Sequence, residues 1–111
     1  MQTIEIPLLP GRDLAGLPAA VQRVCAAAGL TLTLTGTLKS YAGSHHWHYQ
    51  RGRERGTLEI TWWPALRRLW LKIAAGRTRA WMTELLPRLQ AALAEAGQAL
   101  PVLVAEQPQE R

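Results

Sequence analysis

The chain has no asparagine and no phenylalanine, one cysteine, one aspartate and two serines in 111 residues. Each shortage removes a class of protein. A lone Cys25 excludes an internal disulfide framework and any multi-cysteine zinc site. A Ser-His-Asp triad would have to combine Ser40 or Ser44 with one of three clustered histidines and Asp13. Neither serine lies in a Gly-x-Ser-x-Gly turn. No glycine-rich phosphate loop is present. No apolar run approaches the roughly 18 residues of a membrane span. Residues 1–10 lack the basic-then-apolar order of a signal peptide. These absences weigh against the common enzyme templates and imply no cofactor. They leave a cytoplasmic protein, away from the membrane, as the expectation.

What is present is globular in composition. Apolar residues make up 48% and charged residues 19%, a balance that supports a packed core and argues against disorder. The length suits one domain over residues 1–105, with 106–111 a polar tail expected to fray. The charge is uneven. Residues 39–88 hold ten basic and three acidic side chains, a net of +7. Such a field attracts anionic partners, nucleic acid among them.

Periodicity gives the elements. Residues 2–6 alternate weakly and suit a short edge strand. Leu17, Val21, Val24, Cys25 and Ala28 share a helical face that Gly29 terminates. Asp13 is a candidate N-cap for this helix, and Pro18 belongs in its first turn. Leu30, Leu32, Leu34 and Leu38 then alternate with threonines, which predicts a strand with one leucine face and one threonine face. Gly36 marks a bulge or a close backbone approach. Strands follow at 45–50, 57–63 and 68–74, joined by the Arg51–Gly56 loop and the Pro64-Ala65 connection. Thr78 is placed to cap a second helix running to Ala96. Its apolar stripe is Trp81, Leu85, Leu89, Leu93 and Ala96, and Pro87 lies inside it. Residues 102–104 can add a short strand.

The order (β)-α-β-β-β-β-α-(β) predicts a two-layer α+β domain, a four-stranded antiparallel sheet with both helices on one face. Trp47, Trp62 and Trp81 fall in its core, with Cys25 an inert small hydrophobe. In element order alone the chain resembles double-stranded-RNA-binding domains. The strand at 45–50 interrupts that order, and the second helix lacks that family's lysine cluster.

The other sheet face is then uncovered and carries Trp63 and Trp70 among Glu59, Thr61, Arg68 and Lys72. Exposed tryptophans mark an interaction site. Three outcomes follow: bases stacking on them, a homodimer closing over them, or the chain's own tail and N-terminal segment covering them. For a nucleic-acid or other anionic partner the candidate residues are Arg51, Arg53, Arg55, Trp63, Arg68, Trp70, Lys72, Arg77 and Arg79. The first three form an arginine loop suited to clamping phosphate. Arg77 and Arg79 oppose the dipole of the second helix, a conflict that a bound anion would relieve. His46 and His48 share a strand face, and with Glu59 on the neighbouring strand they form a candidate metal site or the centre of a small histidine-based enzyme.

Overall fold

A computed structural model describes residues 2–103. The elements are β1 (Gln2–Ile6), α1 (Leu17–Ala27), β2 (Thr31–Gly36), β3 (His45–Gln50), β4 (Leu58–Trp63), a 3-10 turn (Pro64–Leu66), β5 (Arg68–Ile73) and α2 (Ala80–Gln98). The sheet has five strands, not four, in the order β1-β5-β4-β3-β2, and every pairing is antiparallel. The extra strand is the weak alternation at 2–6. It returns to the far edge to pair with β5, Ile4 opposite Leu71 and Ile6 opposite Leu69. Near the C-terminal end of the described residues an isolated bridge joins Arg12 and Val102. The segment 106–111 and Val104 lie outside the described residues. No helix among the described residues is long and apolar enough to cross a membrane.

One face of the sheet makes the core. Ile6, Leu69, Leu71, Ile73, Leu58, Ile60, Trp62, Trp47 and Tyr49 pack in a single cluster with residues of both helices. Each alternates with an open-face residue, as a two-residue repeat requires. Removing a buried tryptophan such as Trp47 would cost on the order of 3–5 kcal/mol. Pro at the first turn of α1 costs nothing there, because that N–H has no intrahelical partner. The cap, however, is Gly16 without a side-chain bond. Asp13 instead accepts from the Ala15 N–H at 3.0 Å. Cys25 is buried against α1's sheet-facing neighbours, and burial pushes its thiol up to about 12, so it stays protonated at neutral pH. The buried Tyr49 hydroxyl beside it has no hydrogen-bond partner among the described residues.

The continuous leucine face expected in β2 is corrected. The register shifts between Leu32 and Leu34, so Leu32 lies opposite Tyr49 while Leu34 lies opposite His48. One extra residue in the bulge reverses the alternation. The two leucines therefore point to opposite faces. All six residues of the strand are exposed, with Leu32 at 39% and Leu34 at 47%.

Candidate functional site

The open face is built from Thr3 and Glu5 of β1, Arg68, Trp70 and Lys72 of β5, Glu59, Thr61 and Trp63 of β4, and His46 and His48 of β3. The expected exposed tryptophan pair is not there. Trp70 is 6% exposed, and Trp63 is half-buried. Among the described residues their cover is the connection between β2 and β3, and the tail lies outside those residues. Tyr41 packs edge-on against Trp63 and Trp70, with ring centroids 4.8 and 5.2 Å away. Trp63 Nε1 donates to the Ala42 carbonyl at 3.1 Å. Arg68 covers the remaining side. Its guanidinium stands 4.8 Å from the Trp70 ring and donates twice to Glu5, at 3.0 and 2.8 Å. A base could stack on Trp70 only by displacing Tyr41 or Arg68.

The arginines do not form one surface. Arg51 is tied to Glu54 and stands over the Trp81 ring. Arg53 is exposed at the loop tip. Arg55, Arg77 and Arg79, by contrast, meet. With Gly56, Thr57, Glu59 and Ala74 they line a cleft of about 460 Å³. Arg55 precedes β4 and Arg77 follows β5, and in an antiparallel pair those positions emerge at the same end of the sheet. A turn at Ala75-Gly76 brings the chain back, with the Arg77 N–H donating to the Ala74 carbonyl at 3.0 Å. The arginine loop is docked onto α2: Trp81 Nε1 donates to the Arg55 carbonyl at 2.8 Å. Gly56, at φ +110°, permits the approach, because a Cβ there would lie 2.6 Å from Met82 Cε and 2.8 Å from Arg79 Cγ.

The helix start adds to the cleft. Arg79, not Thr78, is the N-cap of α2; it makes no side-chain cap bond, and the first turn holds no acidic residue. The terminal N–H groups and the positive end of the dipole therefore lack a carboxylate or hydroxyl partner from the cap. Among the described residues, Arg55, Arg77 and Arg79 form no ion pair. Glu59, the one carboxylate on the wall, is turned toward the histidines instead.

Those histidines form the second constellation. His46 Nε2 lies 3.1 Å from His48 Nε2 and 3.3 Å from Glu59 Oε1, and His48 Nε2 lies 3.8 Å from the same oxygen. Thr61, opposite His46 across the β3–β4 pair, is hydrogen-bonded to His46 Nδ1 at 2.8 Å. Burial, reinforced by His48, lowers the His46 pKa from its ordinary value against the opposing pull of Glu59. Lys72 lies directly across from Glu59 on β5. A second cavity of about 190 Å³ opens beside His46, Glu59, Thr61, Lys72 and Tyr41.

No family model, curated protein or solved structure matches the chain. Its chemistry therefore rests on these two constellations. Tyr41, Gly56 and Thr61 had no part in the candidate set read from the sequence. Tyr41 precedes Ala42-Gly43-Ser44, whose composition signals a turn and nothing of an aromatic cover. Gly56 was visible as a loop glycine, and Thr61 as an open-face position next to the histidine strand.

Proposed function

We propose that this chain is a small basic binding module of the cytoplasm that meets backbone phosphates of nucleic acid with Arg55, Arg77 and Arg79, one phosphate to each guanidinium. The observation that supports it most is the convergence of three arginines, which form no ion pair among the described residues, on an α2 start that has no side-chain cap. Guanidinium groups bind phosphate through paired N–H donors, and a helix N-terminus adds further donors and a favourable dipole. Backbone phosphate is contacted without reading the bases, so this reading implies binding with little sequence preference. Trp63 and Trp70 are not part of it, because Tyr41 and Arg68 occupy their faces.

The test is fluorescence anisotropy with short labelled single- and double-stranded oligonucleotides. The wild-type chain is compared with a variant carrying Arg55→Ala, Arg77→Ala and Arg79→Ala together. Binding by wild type at low salt and its loss in the variant is the expected result. Equal binding by both would remove the cleft from the account.

A homodimer is the second reading, and β2 favours it. The strand Thr-Leu-Thr-Leu-Thr-Gly is an exposed sheet edge with no charge and no proline to discourage pairing. Its contact would be edge to edge, not through Trp63 and Trp70. Light scattering should then show a dimer that Leu34→Lys returns to monomer. A wild-type monomer at all practical concentrations would end this reading.

A further inference from the structure

His46, His48 and Glu59 offer three ligand atoms that all lie within 4.8 Å of one another. Bonds of about 2.0–2.2 Å to a tetrahedral zinc ion hold its donors about 3.3–3.6 Å apart. The separations here, 3.1, 3.3 and 3.8 Å, bracket that spacing before any ion is added. The scaffold is also suited to holding it. His46 and His48 are two residues apart on β3, and Glu59 faces His48 directly on β4. All three sit within paired strands, not on loops. Thr61 supplies an outer contact, its Oγ1 2.8 Å from His46 Nδ1: in the tautomer that a metal at Nε2 requires, Nδ1–H donates to Thr61 Oγ1.

We propose that His46 Nε2, His48 Nε2 and a carboxylate oxygen of Glu59 bind a divalent transition-metal ion of the zinc class, with a fourth position open to the adjoining cavity. Two imidazoles select against magnesium and calcium, which take oxygen donors. One carboxylate leaves the bound divalent ion with excess positive charge. Lys72, on the same cavity wall, adds to it. The open position therefore suits water or an anionic ligand. Three protein ligands with a vacant fourth site is the arrangement of catalytic zinc, as opposed to the closed four-ligand structural kind. This site does not depend on phosphate binding in the arginine cleft. His48 belongs to the metal cluster and not to the cleft, so its substitution separates the two.

The experiment is a titration of the chelator-treated protein with Zn²⁺ against a competing chromophoric chelator. Co²⁺ is titrated in parallel to read coordination from its visible spectrum. One equivalent should bind. His48→Ala and Glu59→Gln should each weaken it by about 100-fold or more, beyond the 10–100-fold that loss of an outer partner costs. Thr61→Val should fall within that smaller range. His45→Ala should leave binding unchanged, since His45 lies on the other face, stacked on Trp47. Far-UV circular dichroism establishes that each variant is folded. Failure of the wild type to bind one equivalent would overturn the proposal. So would unchanged affinity in a folded His48→Ala or Glu59→Gln protein.

Discussion

Gly56→Ala is expected to lower the melting temperature by roughly 10–20 °C, the counterpart of about 2–4 kcal/mol in a domain of this size. Two costs combine. At φ +110° the backbone holds a conformation that L side chains rarely adopt. The new methyl would also meet Met82 Cε at 2.6 Å and Arg79 Cγ at 2.8 Å. The methionine tip can swing aside. Arg79 cannot move freely without disturbing the cleft it lines. Gly52→Ala is the control, because φ there is also positive, at +55°, but nothing lies within 4 Å of its Cβ. That variant should lose only about 1–2 kcal/mol, the cost of a left-handed alanine. Thermal denaturation followed by circular dichroism checks both. Equal losses in the two variants would mean that the approach of the loop to α2 contributes nothing to stability.

The second large effect is the salt dependence of nucleic-acid binding. Three neutralised phosphates on duplex DNA imply a slope of about −2.7 in log K against log salt, so raising salt from about 50 to 200 mM should weaken binding roughly 40-fold. Replacing Arg55, Arg77 and Arg79 together should flatten the slope by about that amount. Trp70→Ala should not flatten it, since that ring carries no charge to release counterions. Anisotropy titrations at several salt concentrations give the slope directly. A wild-type slope that the triple substitution leaves intact would place the phosphate contacts elsewhere, with Arg53 and Lys72 the next residues to replace.

The fold was legible wherever a period was strong and uninterrupted. The alternation at 45–50, 58–63 and 68–73 gave three strands and placed Trp47 and Trp62 in the core. The stripe Trp81, Leu85, Leu89 and Leu93 gave the buried face of α2. In β2 the same rule misled. Leucine and threonine alternate without a break, and nothing in their order reveals that one residue bulges and reverses the faces of those after it. The strand at 2–6 was too short and polar to be given full weight until its partner β5 was known.

The site was legible in pieces. The histidine pair and Glu59 followed from strand alternation, because a two-residue spacing and an opposing register are local properties. The arginine cleft depended on a longer relation. Arg55 and Arg77 are distant in the chain, yet the hairpin of β4 and β5 fixes them at one end of the sheet. The three loop arginines do not lie as one clamp: Arg51 is paired with Glu54 and stands over Trp81 in the first turn of α2, and of the three Arg55 alone lines the cleft. The cover over the tryptophan face has no such local signal in the sequence. Leu38 extended the leucine pattern of the strand, and the small and polar residues that follow it gave no sign that Tyr41 lies over Trp63 and Trp70.

The central claim is that the arginine cleft, not the tryptophan-bearing centre of the open face, meets nucleic acid. Two-dimensional amide NMR of the isotope-labelled chain, titrated with a short oligonucleotide at low salt, tests it most directly. The expected result is a set of shifts concentrated at Arg55, Gly56, Thr57, Ala74, Arg77 and Arg79, reversed by added salt. Shifts confined to Tyr41, Trp63 and β2, or none at saturating oligonucleotide, would contradict it.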